Sequence, residues 1–409
     1  GTTLLSASNS YSGGTVVKAG TLAVANSNAL GTGTLSMDDG TTLAFAAGGL
    51  TLANPIAFTG SKDPVIDTGA FDATLSGGIS GAGELTKTGT GALVFAAANN
   101  TYTGATTVAA GTLRAGAANA FSAASAHTVN AGATLDTAGL AQSVAALTNG
   151  GTVAIVGSAP GNTLTVNGAY VGNNGLLRMG TALAGSTSIS DRLVLSGAGA
   201  TASGNSTIQI TNLGGLGAVT AGNGIEVVSA TNGATTTAQT TRDAFVLAGG
   251  HVDAGAYEYR LYAADASGAG ENWYLRSIAP PVPPGTPPGT VPSDSPAAAP
   301  RAFVGAQAIP TYRSEVPLFA ALPMQLRQGN LTMVGNLHQR VGDEDLSDGA
   351  PAGQRRAWAR LISTDIDVRQ NGPVSPSSEG RMNGLQTGVD LYADAAWRAG
   401  LYIGQIDGT

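Results

Sequence analysis

The sequence YSGGTVVKAGTL at residues 11–22 returns as YTGATTVAAGTL at residues 102–113, without a gap and 91 residues further on. The correspondence continues downstream, where NAL at residues 28–30 matches NAF at residues 119–121, and GTTL at residues 40–43 matches GATL at residues 132–135. A repeat at a fixed period is typical of stacked units, because each unit buries its apolar face against its neighbours. The repeat therefore predicts a solenoid.

Each unit contains short apolar runs, such as Thr15-Val16-Val17 and residues 92–95, separated by Gly and Asn at turn positions. We interpret the runs as rungs of a parallel β-helix over residues 1–180, with Leu, Val and Ile inside and Thr, Ser and Asn outside. Only 12 of the first 180 residues are charged, so hydroxyls and amides must provide the solubility. An antiparallel sandwich is the competing fold, and the gapless repeat argues against it.

The overall composition excludes several classes of function. The formal net charge of −7 and the presence of only three lysines argue against a nucleic-acid partner, which requires a basic surface. The absence of cysteine excludes a disulfide framework and a thiolate metal site. Gly is 60 of 409 residues and hydrophobic residues make up 43%, a composition that suits stacked β-turns better than a disordered tail or an average enzyme.

The sequence pattern changes at Thr181, after which large aromatic side chains appear. Residues 257–262 alternate as in a half-buried strand. Because a solenoid needs a closed end, we predict that residues 181–278 form a β cap over the last rung. We place Trp273 in the strand that closes this cap, with Tyr257 and Tyr259 as its neighbours.

Residues 279–311 are rich in proline and predict an extended linker of polyproline type. A ligand for a signalling domain is the alternative, which no nearby basic residues support. Residues 312–345 follow as a helical segment. From Met324 to about Val341 a helix of 18 residues would be roughly 27 Å long, yet its polar residues leave no face apolar enough for lipid. A helix of this kind suits a water-filled pore, and a surface helix of a soluble domain is the alternative.

Residues 346–409 contain three strand-like runs, at residues 357–368, 385–393 and 397–406. The second run alternates apolar and polar residues, as strands of a transmembrane β-barrel do. We expect a long connection at residues 370–383 and a tight one at residues 394–396. Three strands cannot close a barrel, so we expect this barrel to be incomplete here, with further strands beyond Thr409 and further passenger sequence before Gly1.

No pattern of catalytic residues is apparent in the sequence. It contains no G-x-S-x-G and no P-loop motif, and His127, His251 and His338 lie in three different regions. We therefore predict no catalytic, cofactor-binding or metal-binding residue, and no enzymatic activity. Polysaccharide-cleaving β-helices carry paired carboxylates, but no cluster of Arg or Lys accompanies the aspartates here, so we expect solvated turns. These aspartates are Asp38, Asp39, Asp63, Asp67 and Asp72.

Three parts of the sequence resemble bacterial autotransporters. Residues 76–116, with Gly-x-Gly, Lys-Thr-Gly-x-Gly and Asn-x-Tyr-x-Gly-x-Thr elements in order, resemble the passenger-associated transport repeat, and residues 1–22 resemble the end of an earlier copy. Residues 212–233, 244–262 and 272–277 resemble the C-terminal passenger region of the pertactin-like members. Residues 312–345, with RAWARLISTDI at residues 356–366 and the run at residues 384–408, resemble the start of the translocator domain.

This resemblance implies a chain that exports its own passenger by type V secretion, with an autochaperone in residues 181–278. It implies an outer-membrane C-terminal part, a passenger at the cell surface as an adhesin or host-interacting factor, and a monomer. The implied partners are outer-membrane lipid, the barrel-assembly machinery and a host receptor or matrix, without a cofactor. The alternative is an enzyme passenger, a serine protease or esterase, whose catalytic domain precedes residue 1.

The resemblance leaves passenger release open. Some serine-protease autotransporters cut themselves at an Asn-Asn pair in the pore helix, where the first side-chain amide is the nucleophile. The matching pair here is Gly335-Asn336, which lacks that amide. We therefore do not expect cleavage by this route, and we expect Asn336 to line the lumen.

Overall fold

The computed structural model describes residues 1–236, 242–279, 309–335, 356–371, 374–393 and 397–408. The chain divides into two compact units, Gly1–Thr311 and Tyr312–Thr409. Each unit is built mainly of β-strands.

The first unit is a parallel β-solenoid of about eight turns, which confirms the predicted β-helix. One face of the coil is a continuous ladder of parallel pairs that runs from β1 through β11 and β18 to β25. The strands of its regular coils are β1 (Thr2–Leu5), β2 (Thr15–Val17), β3 (Thr21–Val24), β4 (Leu35–Met37), β5 (Thr42–Phe45), β6 (Leu50–Leu52), β7 (Ile56–Phe58), β8 (Val65–Asp67), β9 (Ala73–Leu75), β10 (Ile79–Gly81), β11 (Leu85–Thr88), β12 (Ala92–Phe95), β13 (Thr106–Val108), β14 (Thr112–Ala115), β15 (Ala126–Val129), β16 (Thr134–Asp136), β17 (Gln142–Val144), β18 (Ala146–Asn149), β19 (Thr152–Ala154) and β20 (Thr163–Val166).

The core consists of side chains that stack at the same position in successive coils. One stack joins Leu93, Leu113, Leu135, Val153 and Leu177, all of them buried and in register. Residues between these positions face outward, since side chains alternate along a strand. The alternation of apolar and polar residues in the short runs thus reflects side chains that point alternately into and out of the coil.

The sequence repeat is also a repeat of side-chain contacts at the turns. The Asn9 side-chain amide donates to the Ala29 carbonyl at 2.8 Å, and Asn100 donates to the Ala120 carbonyl at 2.5 Å. In addition, the Asn100 Oδ1 accepts the Ile79 backbone N–H at 2.6 Å. These amides supply partners for backbone groups at turns, where the ladder has none.

The parallel pairing continues beyond Gly180, where we had placed the end of the solenoid. It extends to Leu247 through longer strands: β21 (Tyr170–Thr181), β22 (Arg192–Ser196), β23 (Ala202–Asn212), β24 (Ile225–Thr231) and β25 (Phe245–Leu247). Hydrogen bonds between neighbouring coils join residues 20 apart near the start, as at Asn9, but 36 apart at Tyr170–Ser206. The change of pattern at Thr181 therefore coincides with wider coils.

Apart from an isolated antiparallel bridge between Thr181 and Ser190, the antiparallel strands of the first unit follow Leu247 and begin with β26 (Val252–Ala254), β27 (Tyr257–Ala263) and β28 (Trp273–Arg276). Strand β28 pairs antiparallel with β24 on one side and with β27 on the other. The ribbon therefore extends a coil sheet, in the order β17-β20-β22-β24-β28-β27-β26. A short pair, β29 (Ile278–Ala279) and β30 (Ile309–Pro310), follows.

The second unit contains one described helix, α1 (Val316–Val334). It begins eight residues before the predicted Met324, since Pro317 suits the first turn. The helix also contains Pro323, which lacks the N–H for one helical hydrogen bond. The predicted continuation from Asn336 to Val341 lies outside the described residues. Among the described residues, no helix is long and apolar enough to cross a membrane.

Three antiparallel strands accompany the helix: β31 (Ala357–Arg369), β32 (Ser377–Ala393) and β33 (Arg398–Gly408). The prediction of a long connection at residues 370–383 is wrong. Strand β32 already begins at Ser377, which pairs with Arg369. Residues 377–384 carry few apolar side chains, so no apolar alternation indicated a strand there. The predicted alternation is confirmed: Leu385 is 52% exposed, whereas Gln386 is 1% exposed.

We predict that Asn100→Ala lowers the free energy of unfolding by about 1–3 kcal/mol, because the buried Ile79 N–H loses its acceptor. Urea denaturation followed by circular dichroism measures this loss. The neighbouring Thr101→Ala, at an exposed side chain, serves as the control and should change stability by less than about 0.5 kcal/mol. Equal effects of the two substitutions would contradict the role of Asn100.

Candidate functional site at the closed end of the coil

The antiparallel ribbon is held on the last coils by a column of buried aromatic rings. Trp273, 2% exposed, packs edge to face on Phe245, with ring centroids 5.2 Å apart. Phe245 lies 5.5 Å from the ring of Tyr170, whose hydroxyl bonds to Ser206 Oγ at 2.6 Å. The Trp273 Nε1–H donates to Thr236 Oγ1 at 3.0 Å. The column links the ribbon to Phe245 on the last rung and Tyr170 two rungs earlier, and the Tyr170 hydroxyl bonds to Ser206 on the rung between them.

The placement of Trp273 in the closing strand is confirmed, but its predicted neighbours are wrong. Trp273 stands opposite Ala263 and Val228, and the ring it packs on is Phe245. Tyr257 and Tyr259 lie further along β27, beyond that position. The prediction relied on the short sequence distance between Trp273 and the two tyrosines. The ring that packs on Trp273 belongs instead to Phe245, on strand β25 of the coil.

Tyr259 fastens the ribbon to the loops that follow β21 and β23. Its hydroxyl lies 2.9 Å from the Ala184 carbonyl and 2.8 Å from the Ala218 carbonyl, and it accepts the Ala218 N–H at 2.8 Å. Its one proton satisfies one carbonyl at a time. Burial raises the pKa of the Tyr259 phenol, so the group stays neutral at physiological pH.

The chain returns to the ribbon after the Pro-rich segment. The Thr311 N–H donates to the Ser277 carbonyl at 2.8 Å, and the Glu258 N–H donates to the Thr311 carbonyl at 3.1 Å. Ser277 itself is fixed by Thr220, whose N–H donates to Ser277 Oγ at 2.9 Å. Residues 309–311, which we assigned to the linker, therefore pair with the cap, while residues 280–308 lie outside the described part of the chain.

The edge of the ribbon carries a group of ionisable side chains. Ligand atoms of His251, Asp253 and Glu258 lie within 4.8 Å of one another, and no ion is present. However, the Arg260 Nε lies 2.5 Å from Glu258 Oε1 and already supplies a positive charge. His251 Nε2 lies 3.9 Å from Asp253 Oδ2. An exposed ion-pair cluster accounts for this arrangement.

The other histidines do not join this group among the described residues. His127 is buried in the coil beside Phe121, with ring centroids 5.7 Å apart, and its Nδ1 lies 3.0 Å from the Ser125 carbonyl. Burial lowers the pKa of His127 to about 4, so it is neutral at pH 7 and acts as a core residue. His338 lies outside the described residues.

Three of the five solenoid aspartates accept backbone N–H groups. Asp39 Oδ1 accepts the Lys62 N–H at 2.7 Å, and Asp72 Oδ1 accepts the Ala92 N–H at 2.7 Å in the next coil. Asp67 Oδ1 accepts the Gly69 N–H within its own turn at 2.9 Å. Asp38 instead accepts from the Thr59 hydroxyl, and Asp63 interacts with the Glu84 carboxyl group.

In the second unit, polar groups of the sheet hold the end of the helix. Arg360 Nη2 donates to the carbonyls of Thr332 and Met333, both at 2.9 Å. Gln386 Nε2 donates to the Met333 carbonyl at 3.0 Å, and its Oε1 accepts from Arg360 Nε at 2.6 Å. A cation at a helix C-terminus is stabilising because the last carbonyls lack partners inside the helix. Gly335 ends the helix, and Asn336 lies outside the described residues.

Comparisons with known proteins agree with this architecture. A family model described as Autochaperone Domain Type 1 matches residues 143–261, and one described as Passenger-associated-transport-repeat matches residues 1–24 and 85–115. The autochaperone match begins inside the regular coils, earlier than Thr181, where we had placed the start of the cap.

Curated relatives match different shares of the chain. The chain is 35% identical to "Adhesin BmaC autotransporter" of Brucella suis biovar 1 over 99% of its own length and 11% of that protein. It is 38% identical to "Probable autotransporter YfaL" of Escherichia coli K12 over 34% of the chain and 10% of that protein. It is 33% identical to the uncharacterised YuaQ of the same organism over 50% of the chain and 14% of that protein. The chain thus spans a small part of each relative.

We predict that Tyr259→Phe lowers the free energy of unfolding by about 1–3 kcal/mol, because the Ala218 N–H loses its acceptor in a buried site. Tyr262→Phe is the matched control, since it keeps a half-buried ring beside Arg276. Chemical denaturation monitored by tryptophan fluorescence compares the two. A Tyr259→Phe protein as stable as the control would contradict the fastening role of the hydroxyl.

Proposed function

The chain carries the autochaperone domain and the transport repeats of a pertactin-like autotransporter passenger, and on this premise we propose that its cap templates the folding of an adhesive stem at the bacterial surface. The observation that supports templating most strongly is the antiparallel pairing of β28 with β24. This pairing covers a coil sheet at its end, and the aromatic column fixes it there.

A folded cap offers what the next coil needs. The strands of the regular coils are three or four residues long, so a coil is stable only when its strands pair with those of a neighbouring coil. The wide coils β21 and β23 already lie in parallel register against β18 and β25. A more N-terminal coil that emerges later can pair with the open edge of β21, the edge on which β18 lies, and coils can be added there one at a time without a soluble chaperone.

The adhesive role rests on two observations. A relative that matches 99% of this chain is named an adhesin, and the solenoid presents outward-facing hydroxyl and amide side chains along its coils. A surface of this kind suits contact with a host receptor or matrix. The alternative of an enzyme passenger is not favoured by these relatives.

We propose that the second unit begins the translocator in the outer membrane. Leu385, Val389 and Leu401 point outward and are exposed, while Gln386 and Arg360 bond to the helix. Apolar residues outside and polar residues inside are the pattern of outer-membrane strands. Outer-membrane lipid and the barrel-assembly machinery are the partners that this proposal implies.

The test expresses the protein from its native gene with either Trp273→Ala or Trp397→Ala. Trp273→Ala removes a buried ring, a loss of about 3–5 kcal/mol, so we expect normal translocator level but a surface passenger that proteases degrade. Because less intact passenger then remains on the surface, adherence of the cells to host monolayers should also fall.

Trp397 is 74% exposed in the second unit and serves as the matched control. Trp397→Ala should leave the protease resistance of the exported passenger unchanged, and any effect should fall on the translocator level. A protease-resistant, fully adherent passenger in Trp273→Ala cells would contradict the templating role. The adhesive role is tested by deleting the stem. If the rest of the passenger folds normally and adherence is unchanged, the adhesive role is contradicted.

A further inference from the structure

Lys87 occupies a core position of the solenoid. It lies on β11 with its side chain directed inward, in register with Ile66 of the preceding coil and Val108 of the next. The side chain has no exposed surface. A lysine is almost never fully buried without a compensating partner.

The ammonium group is enclosed by oxygen atoms from three consecutive coils. Its contacts are Thr68 Oγ1 at 2.9 Å in the preceding coil, the carbonyls of Thr88 at 2.9 Å, Gly89 at 2.8 Å and Gly91 at 2.7 Å in its own coil, and the Ala110 carbonyl at 3.1 Å in the next. Among the ion pairs of the described residues, none includes Lys87. The charge is therefore solvated by neutral oxygens.

Glycines make room for this enclosure. Gly89 and Gly111 have φ angles of 79° and 66°. A Cβ atom on Gly111 would lie 2.5 Å from the Gly89 carbonyl oxygen and 2.8 Å from Lys87 Nζ. The sequence Lys-Thr-Gly-x-Gly at residues 87–91 thus supplies the cation and three of the five oxygens that surround it.

The buried charge carries a cost in stability. Desolvation lowers the pKa of Lys87 from its ordinary 10.5 to about 8, against the weaker attraction of Asp67 and Asp72. Between these two pH values the unfolded chain binds more protons than the folded chain, so this group favours folding more as pH rises through the window. At pH 7 the group is charged in both states, and the folded state bears the full cost. A gain in stability therefore does not explain why a lysine lies here.

We propose that Lys87 fixes the register of the three coils around it. A slip of two residues keeps every side chain on its own face, so the small and uncharged residues of these coils oppose it only weakly. With Lys87 in place, such a slip would carry the ammonium away from the Ala110 carbonyl and Thr68 hydroxyl and leave a buried charge without enough acceptors. Buried polar groups are best attested in this role of selecting one register.

The absence of cysteine in the chain allows a direct test by disulfide trapping. Thr86 and Thr107 are register partners on adjacent parallel strands, close enough for a disulfide. The pair Thr86→Cys with Thr107→Cys reports the native register, and Thr86→Cys with Ala109→Cys reports a slip of two residues. Each pair is placed in the full chain with Lys87 or with Lys87→Met, refolded from denaturant under reducing conditions and then oxidised.

With Lys87 present, we expect the native disulfide to dominate and the slipped one to be a trace. With Lys87→Met, the slipped disulfide should increase at least about fivefold, while the thermal midpoint changes by less than about 4 °C. Leu85→Met, a substitution at a buried position of the same strand, should give the trapping pattern of the unmodified chain. The distant pair Thr148→Cys with Val171→Cys, register partners on β18 and β21, should form equally in all variants.

Two results would overturn the proposal. One is a Lys87→Met chain that forms only the native disulfide. The other is a large drop in its thermal midpoint with the native register intact, which would make Lys87 a stabilising residue without a role in register.

Discussion

The backbone hydrogen bonds between successive coils are the interaction on which the rest of the first unit depends. Each strand of the regular coils is three or four residues long, and most of these strands pair in parallel with a strand of the coil before and a strand of the coil after. Strands at a sheet edge, such as β2 and β10, have one partner. A coil without a neighbour leaves a row of N–H and C=O groups unpaired, and an isolated short strand is not stable in water. The stability of the stem is therefore a property of neighbouring pairs, and its ends need separate solutions.

The cap supplies hydrogen-bond partners at the C-terminal end of the coil. Strand β28 pairs antiparallel with β24, which meets the hydrogen-bonding needs of that sheet edge and ends the parallel addition. Trp273 and Phe245 fill the space above the last coils, and Tyr259 ties the ribbon to the loops beneath it. Because these contacts are made within one compact region, the cap can form before the regular coils and present them with an ordered edge. The autochaperone match over residues 143–261 covers the wide coils, β26 and most of β27, and it ends before β28.

The sequence allowed the parallel coil to be predicted, because a gapless repeat and period-2 runs both follow from stacking in register. It also indicated that Trp273 closes the cap and that the residues of β32 alternate. It could not indicate Phe245 as the partner of Trp273, since that contact depends on how wide coils fold back. The start of β32 at Ser377 was missed because the pairing there involves polar side chains. The burial of Lys87 was not predicted either, since alternation places it on the inward face with Leu85 but a lysine is expected to reach water.

We infer that order spreads through the stem from the cap, and pulse-labelling hydrogen exchange during refolding of the full chain can follow that spread. We expect the amides of β24, β27 and β28 to become protected first, and protection then to move through β18 toward β3. Mass spectrometry of peptides at successive times resolves this order. Protection that appears first in β1 to β5, or at the same rate along the whole coil, would contradict the claim.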